Sequence, residues 1–200
     1  MTSIPKSDLL VSLAAGIFIG GALFDVLPEI VGHLGMLKAL LWLLAGYLGW
    51  WVIKVVLQKL KKPALPYLTA GALWFHSVLE GMVTGLAFGV SQIFGFFIFT
   101  AMTLHILPEF FAATMLMRGT GSTTKGSLAT TFIGFGVLYT SFGITYWLIP
   151  NLGLILPIAI AVSGGAFLFV GLASFWKRKS IVTFISLLVG IGVIFAQSHL

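Results

Sequence analysis

Apolar residues along this chain gather into long blocks, at about 9–33, 36–57, 67–90, 93–117, 128–149, 152–175 and 181–197. Crossing a bilayer as an α-helix takes about 20 apolar residues, and all but the last block reach that length. The pattern predicts an all-α polytopic membrane protein: seven transmembrane helices in one domain spanning residues 1–200. The connections are short (KLKKPALP, RGTGSTTKG, PN and WKRKS) and leave no room for a soluble domain. The first block, LLVSLAAGIFIGGALFDVLPEIVG, is too long for a signal peptide and lacks its small-residue cleavage site, so it is expected to stay in the mature protein.

Composition agrees with the blocks. Hydrophobic residues make up 59% of the chain and charged ones only 8%, against roughly 25% charged in a soluble domain. Of five acidic residues, Asp25, Glu29, Glu80 and Glu109 fall inside apolar blocks and Asp8 alone sits at an end. The net charge of +6 does not point to nucleic acid, because the basic residues flank the spans. With a cytoplasmic amino terminus, Lys6, Lys54, Lys59, Lys61, Lys62, Arg118, Lys125, Lys177, Arg178 and Lys179 all face the cytoplasm and Lys38 alone lies outside. That bias predicts an external carboxyl terminus, and the plasma (inner) membrane is the expected location. Cysteine is absent, so any metal is held by nitrogen and oxygen donors.

The polar interruptions carry the chemistry. His76 and Glu80 stand one helical turn apart in LWFHSVLEGMVTGLAFG, and His105 and Glu109 do so in FTAMTLHILPEFFAATML. The turn between these spans has its apex near Ser91 and Gln92. Counting back at 1.5 Å per residue puts His76 level with Glu109 and Glu80 level with His105, a rectangle about 6 Å tall. Two imidazoles and two carboxylates suit a four-coordinate ion such as zinc, near the midplane where transporters place substrates. A single His or Glu in a span is often only hydrogen-bonding glue between helices; two matched pairs in register are much less readily explained so. Pro108 removes a backbone donor beside these residues, and Gly81, Gly85 and Gly89 form a stripe suited to close packing. Asp25 and Glu29 fit an ion entrance and a helix-end pair at the external interface equally well. His33 and His199 are expected in solvent, and the six Trp residues at interfaces or in the core.

HSVLEGMVTGLAFG resembles the fourth-helix signature of the ZIP (Zrt/Irt-like) metal-ion transporters, HNxPEG or HSxxEG, and HILPEF resembles their fifth-helix HExPEG. FIGGALFDVLPE is similar to the family's second helix with its terminal HLLPE, and GGAFLFVGL to its seventh-helix GAFLYVAL. The resemblance implies a ZIP-like bundle that starts at the family's second helix. Ser77 stands where many members have Asn, Ile106 where a carboxylate follows the fifth-helix histidine, Phe110 where Gly is usual, and Asp25 where HLLPE has its histidine. The sixth span ends in WKRK without the usual acidic residue. The family's paired motifs hold two metals bridged by the glutamates; with Ile106 in the second site, one ion is expected here.

The expected function is therefore transport of a divalent metal ion toward the cytosol, Zn2+ first, with Fe2+, Mn2+ or Cd2+ as alternatives. The ligands are His76, Glu80, His105 and Glu109, and Asp25, Glu29 and Ser77 are candidate pathway residues. No enzymatic activity is expected. The partners are the metal ion and the lipid bilayer, with a homodimer left open. Two other classes remain: a metal-binding membrane scaffold or sensor that does not transport, and an intramembrane zinc-dependent hydrolase.

Overall fold

Inside a bilayer, backbone N–H and C=O groups must pair within their own segment, and the apolar blocks meet that demand as helices. The computed structural model describes residues 6–62, 64–148, 155–176 and 180–198. Pro150, Asn151, Lys177, Arg178, Lys179 and His199 lie outside them, as do the side chains of Lys6 and His105. Every regular element among the described residues is helical. They are α1 (Lys6–Gly20), a π-helical segment (Gly21–Val26), α2 (Leu27–Leu34), α3 (Met36–Lys59), α4 (Ala64–Val90), α5 (Gln92–Gly119), α6 (Thr124–Leu148), α7 (Ile155–Phe175) and α8 (Ile181–Gln197).

Element ends follow local chemistry. Gly35 takes φ +77°, a conformation open to glycine, and its N–H closes α2 on the Val31 carbonyl at 2.9 Å. Pro28 sits at the start of α2. At the head of α8, Ser180 and Thr183 cap each other reciprocally: Thr183 N–H donates to Ser180 Oγ and Ser180 N–H to Thr183 Oγ1. One departure from the block pattern stands out. The first block is not a uniform α-helix but passes through the π segment, whose wider turns change the direction in which residues 21–26 present their side chains.

Among the described residues, four helical stretches are long and apolar enough to cross a membrane: Ser7–Leu34, Met36–Lys59, Thr124–Trp147 and Ile155–Phe175. α4 and α5, at 27 and 28 residues, have the length but carry the ionisable pairs, and α8 is apolar over 17 residues. Burial differs from that of a water-soluble domain at both the surface and the core. Leu40, Leu41, Leu44, Leu48, Val52 and Val56 of α3 are exposed, whereas Ser12, Ser77, His76, Glu80, Glu109 and Ser163 are buried. An apolar exterior, with ionisable side chains held inside among apolar ones, marks a membrane-embedded protein.

α1 packs on α5, α7 and α8, while α4 packs on α5, α6 and α7, so α7 lies against both of these central helices. α4 is tied to its neighbours by indole N–H groups: Trp50 donates to the Leu68 carbonyl at 3.1 Å and Trp74 to the Thr130 carbonyl at 2.9 Å. Of the glycine stripe, Gly81 and Gly85 press on α6, where a Cβ would meet Ser141 and Thr145; Gly89 has no such neighbour within 4 Å. Two apolar clusters form the core, one around Phe18, Leu68, Leu73, Phe110 and Phe167, the other around Val26, Ile30, Leu79 and Ile160. Along α4, His76 falls between them.

Candidate metal centre

Residues four apart lie one above the other on a helix, so α4 presents His76 and Glu80 on one face. α5 runs back beside it after the turn at Ser91 and brings up Glu109. His76 Nε2 lies 3.4 Å from Glu80 Oε1 and 3.5 Å from Glu109 Oε2. One donor atom from each of the three residues falls within 4.8 Å of the other two, and all three side chains are buried.

These spacings bear on what the group can hold. A charge-assisted hydrogen bond between nitrogen and carboxylate brings the atoms to about 2.7–2.9 Å. Donors on a tetrahedral zinc at about 2.0–2.2 Å stand roughly 3.3–3.6 Å apart, by the geometry of the tetrahedron. The two distances from His76 Nε2 match the second figure. Imidazole nitrogen and carboxylate oxygen suit zinc, and they also suit other first-row divalent ions.

The register expected from the turn holds for the one cross-helix pair whose side chains are both described, since His76 meets Glu109. The fourth expected ligand, His105, has only its backbone described, within α5. Ile106 is buried in the apolar core beside Phe110. Glu109 divides its oxygens: Oε2 faces His76, while Oε1 lies 3.2 Å from where a Cβ on Gly21 would stand. Asp25 Oδ2 lies 3.9 Å from the same point, so the π segment brings a third carboxylate toward the site.

The other expected pathway residues separate. Ser77 is fully buried beside His76, and its carbonyl accepts a long 3.5 Å hydrogen bond from Ser141 Oγ on α6. Glu29 is exposed at the first turn of α2. His33 is exposed, as expected.

Sequence reasoning missed two residues of α7. Ser163 Oγ lies 2.9 Å from His76 Nδ1, and the Phe167 ring packs on the imidazole with centroids 4.5 Å apart. Their signal was faint: a lone hydroxyl in the apolar run AVSGGAFLF, one turn before an aromatic residue. Compared with known proteins, the chain matches no protein-family model and none of the curated proteins.

Proposed function

We propose that the protein is a membrane transporter of divalent metal ions, zinc first among them, which binds its cargo at His76, Glu80 and Glu109 with His105 as the fourth ligand. The observation that carries this reading is the spacing of the buried triad, in which Nε2 stands 3.4 and 3.5 Å from two carboxylate oxygens. Three ionisable groups in an apolar interior are costly unless they serve a partner or an ion. A resident cation between them offsets the repulsion of the two carboxylates. The ZIP-like motifs of α4 and α5 point the same way. A single central ion is favoured, because Ile106 packs in the apolar core and offers no donor.

On this reading seven spans cross the membrane, the amino terminus is cytoplasmic, and ions enter from outside past Glu29 and Asp25. The test is binding first and movement second. Zinc should raise the melting temperature of the purified protein, and His76→Ala or Glu109→Ala should remove most of that rise. An undiminished rise in both variants refutes the site. Uptake of zinc into proteoliposomes then separates transport from binding alone: a protein that binds zinc but moves none is a scaffold or sensor.

A further inference from the structure

His76 is gripped from the side away from the carboxylates. Its Nδ1 lies 2.9 Å from Ser163 Oγ, with the imidazole 5% and the serine 0% exposed, and its ring lies 4.5 Å from that of Phe167 at 41°. Ser163 and Phe167 are four apart on α7 and so share one face of it. That helix has little freedom to shift. A Cβ on Gly46 of α3 would run into the Val162 carbonyl, one on Gly165 into the Leu43 carbonyl, and one on Gly164 into Val26 of the π segment. The backbone on either side of Ser163 is therefore pinned by close approach.

A neutral imidazole carries one N–H, and the partner of one nitrogen decides what the other can do. The serine hydroxyl can play either part at Nδ1. If it donates, the ring hydrogen sits on Nε2 and points at the two carboxylates, and Nε2 has no lone pair for a metal. If it accepts, the hydrogen sits on Nδ1 and the Nε2 lone pair faces Glu80 and Glu109. A helical serine can accept in this way and still donate its own hydrogen to the carbonyl a turn back, as Thr69 and Thr84 do here.

We infer that Ser163 is a positioning residue for His76: it accepts the Nδ1 hydrogen and so aims the Nε2 lone pair at a divalent cation held with Glu80 and Glu109, while Phe167 fixes the plane of the ring. The cation part rests on the proposed metal-binding function; the hold on Nδ1 does not. Partners behind a metal-ligating histidine typically contribute about 10–100-fold in metal affinity.

The experiment compares the full-length protein with Ser163→Ala and Ser163→Thr by zinc titration and by 15N spectra of the His76 ring in the metal-free state. Ser163→Ala should weaken the zinc dissociation constant about 10–100-fold with little change in metal-free melting temperature, and Ser163→Thr should restore it. The wild-type Nδ1 should carry a hydrogen held by Ser163, whether or not Nε2 carries one toward the carboxylates as well, and Ser163→Ala should lose that hydrogen bond. A Ser163→Ala protein that binds zinc as tightly as wild type overturns the inference. So does a wild-type ring with its hydrogen on Nε2 alone. If the wild type gives no zinc response, the metal-binding reading falls, and the ring spectra alone then decide whether Ser163 sets the tautomer.

Discussion

Glu109 touches two neighbours of opposite character, the imidazole of His76 at 3.5 Å and the bare backbone of Gly21, where a Cβ would stand 3.2 Å from Oε1. Gly21→Ala should therefore separate fold from site. Alanine favours a helix over glycine by about 0.8–1 kcal/mol, so metal-free stability should hold or rise, while the displaced carboxylate weakens zinc binding. The zinc-dependent melting shift measures this, and a shift equal to the wild type's would mean that Gly21 leaves room for nothing that matters to the ion. The donors must also shed protons to bind a cation, so the same shift should shrink as pH is lowered. At this scale the sequence was legible where chemistry repeated: two HxxxE pairs at matching distances from one turn named His76, Glu80, His105 and Glu109, and the side chains of His76, Glu80 and Glu109 come together. Ser163 was not legible. A lone serine in an apolar helix gives no sign of which neighbour it will meet, since that depends on how α7 is rotated against α4.

Where the predicted ends fall on described residues, the helices end within a few residues of them, because a block of apolar residues bounded by lysines, glycines or prolines leaves the backbone few alternatives in a membrane; the ends at 149 and 152 lie outside the described residues. The π segment of residues 21–26 escaped notice for the complementary reason. A π turn leaves the hydrophobic content unchanged and alters only the direction of the side chains, which in GGALFDV includes Asp25. Packing between elements was half legible: the stripe Gly81, Gly85, Gly89 was visible, yet only the first two meet α6. The seam between α3 and α7 offers a sharper test. A Cβ at Gly46 would strike the backbone of Val162, which cannot move aside as a flexible side chain would. Gly46→Val should cost at least about 1–3 kcal/mol and lower the melting temperature. Because Val162 precedes Ser163, zinc affinity should fall with it. Gly49→Val lies on the same helix with nothing within 4 Å of its new Cβ and serves as the control. Equal melting temperatures for the two variants would show that the seam is looser than its close contacts imply.

At the scale of the whole molecule, the arrangement of charge predicts which way the chain sits in the membrane. The triad is buried, and most of the described basic residues gather at one set of helix ends: Lys59 at the end of α3, Lys61 and Lys62 just beyond it, and Arg118 and Lys125 around the turn from α5 to α6, with Lys38 at the opposite end of α3. Lysine and arginine are retained on the cytoplasmic side during insertion, so those ends should face the cytosol and the turn at Ser91 the outside. With seven crossings the two ends of the chain must then lie on opposite sides. Lys62 and Ser198 are both exposed, at the ends of α3 and α8, and are separated by five crossings. Cysteines placed there singly in an otherwise cysteine-free chain can be challenged with an impermeant thiol reagent on sealed cells. Ser198→Cys should be labelled from outside, and Lys62→Cys only after the membrane is opened. The reverse result inverts the orientation and with it the entrance past Glu29. Labelling of both from outside means an even number of crossings between them, which removes one of the proposed spans while leaving the metal centre of α4 and α5 to stand on its own geometry.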